Sequence, residues 1–230
     1  MKTAEKITSV SPHYTNKIAK LVGKEGTVLL NGYSELNATT TQIESYRTFS
    51  ILYSGTLYPS QRIEPFLEAI KKVATLKGRN KIHVHFPGLE FDAVQAQRVR
   101  NEIKDFESCF TITERIPQAE VIEMQQRSQL VLMVPHAGIK GIPSSKLFEY
   151  IGLQKSILLI PSDEDIIEDI LSDCGLGYIC NTTDELVDCL TRLMDDFYEG
   201  VDISKKPTQN LKNYSRFEQT KKLAQILDSI

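Results

Sequence analysis

The densest run of chemistry-bearing residues is Gly138 to Tyr150, GIKGIPSSKLFEY. Two glycines and Pro143 lead into Ser144 and Ser145, and Lys146, Leu147, Phe148 and Glu149 continue as helix formers. A glycine-bearing loop that enters a helix near Ser144 or Ser145 presents free backbone N–H groups and the positive end of the helix dipole. Those groups suit a phosphate or diphosphate. Glu149 falls about one turn inside that helix, where its carboxylate can accept from two adjacent hydroxyls such as those of a ribose. Lys146 adds a cation. The same letters also fit a plain N-cap with an i,i+3 surface pair between Lys146 and Glu149, and spacing alone leaves both readings open.

Other reactive side chains offer less. His83 and His85 sit at alternate positions of one strand-like run, so they share a face and read as buried, hydrogen-bonded histidines; His136, in a loop, is better placed to touch a ligand. The cysteines Cys109, Cys174, Cys180 and Cys189 form no C-x-x-C pair, which predicts reduced thiols and neither a zinc site nor a disulfide framework.

These residues need elements to hold them. Phe49–Leu57 is rich in β formers and breaks at Gly55, and Ile63–Leu76 carries Phe66, Leu67, Ile70, Val73 and Ala74 at helical spacing. Ile82–Phe86 stops at Pro87-Gly88, before a helix over Ala93–Phe106. A strand Phe110–Thr113, a helix Ala119–Ser128 and the apolar run Leu130–Val134 follow, the last reading as a central parallel strand. After the Pro135–Ser145 loop come the helix Lys146–Gly152, the strand Ile157–Ile160, a helix Asp163–Ser172, a strand Gly177–Cys180 and a helix Thr183–Tyr198 capped by Thr183. Strands alternating with helices predict an α/β, Rossmann-like, doubly wound parallel sheet over residues 46–200. Ligands bind such sheets at the carboxyl ends of the strands, so Gly55, Gly88, Arg115 and the 135–145 loop are expected along one rim.

The ends fit that domain less well. Residues 1–45 show one strand-like segment, Thr27–Leu30, before Asn31-Gly32, and residues 201–230 form a helical tail with Phe217, Leu223 and Leu227 exposed for a partner or for self-association. A chain of 230 residues allows one substantial α/β domain with appendages. The net charge of -3 gives no general field for a nucleic-acid backbone. Met1–Val10 lacks the apolar core of a signal peptide and no run of about 18 apolar residues could span a bilayer, which predicts a cytoplasmic protein.

Ile142–Ile151 (IPSSKLFEYI), followed by Gly152 and Ser156–Ile160, resembles the donor-site signature of bacterial retaining GT-B glycosyltransferases of the group 1, family 4-like kind. Ile51–Tyr58 (ILYSGTLY) resembles the first strand and glycine turn of the same domain, and Val10-Ser11 through Leu30–Tyr33 resembles the end of the acceptor domain and the interdomain linker. The three segments stand in the family's order and cover almost all of the chain.

The resemblance implies that Glu149 holds the nucleotide ribose, that the Gly55 turn approaches the donor diphosphate, and that Arg115 and Ile116 contact the base. Ser145, Lys146 and Leu147 belong to the same donor signature. Two departures stand out. Gly141 occupies the position where many relatives carry a second glutamate, so that backbone amides would meet the sugar or phosphate there, and Thr56 replaces an arginine, with the neighbouring cation displaced to Arg62. The implied protein transfers a hexose-type sugar from a UDP- or GDP-linked donor, with retention and without a tightly bound cofactor or metal, in polysaccharide or glycoconjugate synthesis. Residues 1–45 then correspond to the end of the acceptor domain and the linker, so the chain carries one wall of the cleft and is expected to be inactive alone. A missing N-terminal domain or a separate subunit would complete it, and the intact enzyme would associate peripherally with the inner face of a membrane. A nucleotide-sugar epimerase of the same architecture and a non-catalytic nucleotide-binding regulatory module are the competing readings.

Overall fold

The computed structural model describes residues 4–34 and 43–230; the part of the expected linker at 35–42 lies outside the described residues. The chain opens with a small parallel unit: β1 (Ile7–Ser9), α1 (Pro12–Val22) and β2 (Gly26–Val28), with Ile7 opposite Gly26. Ser11 starts α1, its hydroxyl accepting from the Tyr14 amide at 3.3 Å, and Gly23 ends it with φ +69°. Only a glycine fits at 26, because a Cβ there would lie 2.6 Å from Cγ2 of Thr15. The sequence predicts one strand here. β1 and α1 escape it because β1 has only three residues and α1 buries only Thr15, leaving Leu21 exposed.

The main body follows the expected alternation: β3 (Phe49–Leu52), α2 (Glu64–Lys77), β4 (Ile82–Phe86), α3 (Ala93–Glu102), β5 (Phe110–Ile112), α4 (Gln118–Arg127) and β6 (Leu130–Met133). It continues with α5 (Ser145–Gly152), β7 (Ile157–Leu159), α6 (Ile166–Cys174), β8 (Gly177–Ile179) and α7 (Thr183–Tyr198). Every strand pairing in this sheet is parallel, and the order is β5-β4-β3-β6-β7-β8. The chain therefore winds outward from β3 in one direction and from β6 in the other, the doubly wound arrangement read from the sequence.

Alternation along β6 divides the interior in two. Leu130 and Leu132 face a core filled by Phe66, Ile70 and Val73 of α2 with Leu186 and Leu190 of α7. Val131 and Met133 face the opposite core, built from Leu147, Phe148 and Ile151 of α5 with Ile167 and Ile170 of α6.

Two helix starts differ from expectation. The cap of α7 is Thr182, not Thr183, its hydroxyl accepting from the Glu185 amide at 3.2 Å. α6 begins three residues later than predicted because the Asp163 carboxylate accepts from the amides of Ile167 (2.9 Å) and Glu168 (3.0 Å), spending its hydrogen-bonding capacity as a lead-in turn.

The tail returns to the beginning. A short 3-10 turn over Gln209–Tyr214 buries Tyr214 against the α5/α6 core, and α8 (Arg216–Leu227) then runs beside the N-terminal piece. Tyr33 and Ser215 pair as a parallel bridge: the Tyr33 amide donates to the Tyr214 carbonyl (3.0 Å) and the Arg216 amide to the Tyr33 carbonyl (2.9 Å). Gln219 of α8 accepts from the Leu30 amide at 2.9 Å. Phe217 and Leu227 are exposed as expected, whereas Leu223 is half-buried. Among the described residues no helix is long and apolar enough to cross a membrane.

Candidate functional site

A cavity of about 550 Å³ opens at the carboxyl ends of the strands where β3 and β6 diverge. Its floor is two glycine turns. Gly55, after β3, has φ +79° and donates to the Pro87 carbonyl at 3.1 Å; Gly88, after β4, has φ +85° and donates to the Thr113 carbonyl at 3.1 Å. A Cβ on Gly88 would stand 3.8 Å from the Gly55 Cα, so the two turns lie side by side with bare backbone. Positive φ makes both positions costly for any other residue.

One wall is α5. Ser144 caps it, accepting from the Lys146 amide at 3.3 Å, and Ser145, Lys146, Glu149 and Gly152 line the cavity. The positive end of the helix dipole therefore borders the space. The facing wall is the β5–α4 connection, with Arg115, Ile116, Gln118 and Val121. Arg115 holds its guanidinium 3.3 Å from the centre of the Phe91 ring.

Charge is lopsided. Among the described residues, Lys146, Arg115 and Arg216 line the cavity against a single carboxylate, Glu149. The Lys146 ammonium donates to the Tyr53 hydroxyl (2.8 Å) and the Thr56 carbonyl (2.9 Å). Burial lowers its pKa to about 7, and the nearby Glu149 only partly opposes that. Glu149 accepts from Nε2 of the fully buried Gln125, whose amide also reaches the Ser54 hydroxyl at 3.4 Å. Ser54 in turn meets the Tyr150 hydroxyl at 3.0 Å, and burial pushes that phenol up to about 12.

No family model matches the chain, and no curated protein does. Solved structures do. A glycosyltransferase from Rickettsia africae superimposes with a TM-score of 0.71 at 16% identity, covering 96% of this chain and 62% of that one. HepE of Anabaena, solved with UDP and glucose, gives 0.71 at 12% identity over 99% of this chain and 64% of its own. The lipopolysaccharide outer core galactosyltransferase WaaB gives 0.67 at 16%, with 98% and 62% covered. The fold is that of the GT-B glycosyltransferases. This chain spans less than two thirds of the length of each of these three structures.

Within this GT-B framework the cavity gathers Gly55, Arg115, Ile116, Ser145, Lys146 and Glu149, all expected from the sequence. Four expected residues stand elsewhere. Thr56 is outside the lining and lends its carbonyl to Lys146 and to the Tyr53 hydroxyl, and Arg62 is exposed beyond the turn, also outside the lining. Leu147 points into the apolar core beneath α5 and is fully buried. Gly141 is turned away: its amide donates to the Asp165 carboxylate, and a Cβ there would lie 2.7 Å from the His13 Cβ and the Ser11 Oγ. The middle of the 135–145 loop thus packs on α1 instead of forming the rim, and His136 pairs with the Ser60 hydroxyl at 2.7 Å outside the lining. His83 and His85 share a face as expected. His83 meets the Thr111 hydroxyl at 2.8 Å, and burial and the neighbouring His83 lower His85 to about 4.

The sequence also misses lining residues. Asn31 to Ser34 and Arg216 close the outer side of the cavity, and they come from the two ends of the chain. No local pattern announces them; their contribution depends on the crossing of Tyr33 and Ser215.

Proposed function

We propose that this chain is the donor-binding half of a retaining GT-B glycosyltransferase, taking a UDP- or GDP-linked hexose. The observation that carries this is the cavity's composition: three cations and the amino end of α5 surround one carboxylate that is anchored from behind. A nucleotide sugar has the complementary features, a doubly charged diphosphate and a ribose diol. The diphosphate suits the space between Gly55, Ser145 and Lys146, the diol suits Glu149, and the base suits Arg115 and Ile116. One neighbour of this fold, HepE of Anabaena, is solved with UDP, with UDP-glucose, and with UDP and glucose.

Residues 46–200 then act as the nucleotide-sugar domain, with residues 1–45 and 201–230 joining it to an acceptor-binding partner. The reaction site lies between the two walls, so this chain alone binds donor without transferring sugar. The intact enzyme would work in the cytoplasm, at the inner face of a membrane, in polysaccharide or glycoconjugate synthesis.

A thermal-shift panel of UDP, GDP, ADP and CMP tests the reading. A nucleotide present at a hundred times its Kd stabilises the folded chain by about 2.7 kcal/mol, a rise in melting temperature of roughly 5–11 °C for a domain of this size. UDP or GDP is expected to give that rise, and Glu149→Ala to remove most of it. No shift with any nucleotide would leave a non-catalytic α/β module as the better account.

A further inference from the structure

α4 buries one side chain, and it is polar: Gln125 is 0% exposed. An amide taken out of water must find partners or lose stability, and Gln125 finds them on one side only. Its nitrogen serves Glu149 of α5 and Ser54 at the end of β3, while its oxygen is buried with no partner among the described residues. Turning the amide over would set that oxygen against a carboxylate. The orientation is therefore dictated by what Glu149 and Ser54 can accept.

The consequence concerns the two oxygens of Glu149. Gln125 occupies Oε1 from inside the protein, which leaves Oε2 and the remaining lone pairs for the cavity. Ser54 continues the chain of bonds to the Tyr150 hydroxyl, which also accepts from the Ser54 amide at 3.3 Å. One amide thus ties together the residue before the Gly55 turn, the helix facing it, and the carboxylate between them.

We propose that Gln125 is a positioning residue: it orients the Glu149 carboxylate so that its free oxygen meets the ribose hydroxyls of the donor. The proposal rests on the reading of Glu149 as the ribose ligand. Gln125 touches no substrate itself; it acts through Glu149.

The test measures Kd for UDP and GDP, each beside its 2′,3′-dideoxy analogue, on wild type, Gln125→Leu and Gln125→Met. Hydrogen bonds to a charged group make the wild type favour the ribose form by about 10- to 100-fold. In Gln125→Leu that ratio is expected to collapse toward one while affinity for the dideoxy nucleotide stays near wild type, a pattern general loosening would not produce. Gln125→Met keeps the length but cannot donate to Glu149, so it too should lose the ratio, and it reads the case if the leucine variant fails to fold. A wild-type ratio that survives in every folded variant overturns the role of Gln125 alone. A wild type that binds both forms equally removes the ribose reading of Glu149 and this proposal with it, and a wild type that binds neither removes the donor reading itself.

Discussion

Lys146 allows the charge logic of the cavity to be tested by counting protons. In the free protein its pKa is lowered to about 7, chiefly by burial, against a usual lysine value of 10.5. A diphosphate beside the amino end of α5 supplies the countercharge that burial withholds and should restore the ammonium form. At pH 8 most free molecules carry Lys146 neutral, so binding should draw in most of one proton. The sign follows: affinity is full below pH 7 and weakens about tenfold for each pH unit above 8, until the bound-state pKa is reached. The terminal phosphate of UDP, with a pKa near 6, is already ionised there and adds little. Calorimetric titration of UDP at pH 8 in buffers of different ionisation enthalpy reads the uptake directly, and Lys146→Met should abolish it along with much of the affinity. Equal enthalpies in all buffers, or an uptake unchanged in Lys146→Met, would refute the assignment.

Three further substitutions address the surroundings. Leu147→Ala empties a fully buried position in the α5/α6 core; a loss of about 2–5 kcal/mol is expected by urea denaturation, and a loss under 0.5 kcal/mol would contradict the core placement. Gly141→Ala forces a Cβ at φ +78° into Ser11 and His13, so hydrogen exchange across residues 7–28 should quicken while UDP affinity holds; lost affinity with unchanged exchange would restore Gly141 to the donor site. Lys155, lowered to about 8 by burial, donates to the carbonyls of Gln126 (3.1 Å) and Ser128 (2.6 Å) at the end of α4. Above pH 8 the unfolded chain holds a proton that folded Lys155 has released, so wild-type stability gains with pH. Wild-type stability minus that of Lys155→Met should therefore rise between pH 7 and 9.5, and a difference that falls or stays flat would count against the buried neutral lysine.

The main sheet was legible in the sequence because its signals are local and repeated. Leu130–Met133 is apolar on both faces, as a central strand must be, and Gly55, Gly88 and Gly78 punctuate where turns are needed. The α5 half of the site was legible for the same reason, since the residues from Ser144 to Glu149 are contiguous. Residues whose role comes from other parts of the chain were not. Gly141 looks like part of a phosphate loop until α1 is seen lying against it, and Leu147 looks like part of the signature until the alternation of α5 turns it inward. Gln125 carries no periodic signal, because one polar residue inside a helix is indistinguishable in sequence from one outside. Arg216 lies 184 residues from Gly32, whose carbonyl accepts from its Nε at 3.0 Å.

That last contact joins the two ends of the chain. The polypeptide passes Tyr33 before the main sheet begins and returns beside it at Ser215 after the sheet ends, with Gly32 so close that a Cβ would stand 2.7 Å from the Arg216 amide. The approach to the sheet and the return from it therefore cross at one backbone bridge beside the cavity. Asn31, Gly32 and Arg216, on the two segments of that crossing, all line the cavity. Removing either end of the chain would therefore take away part of the cavity's outer side, although neither end contributes a strand to the main sheet.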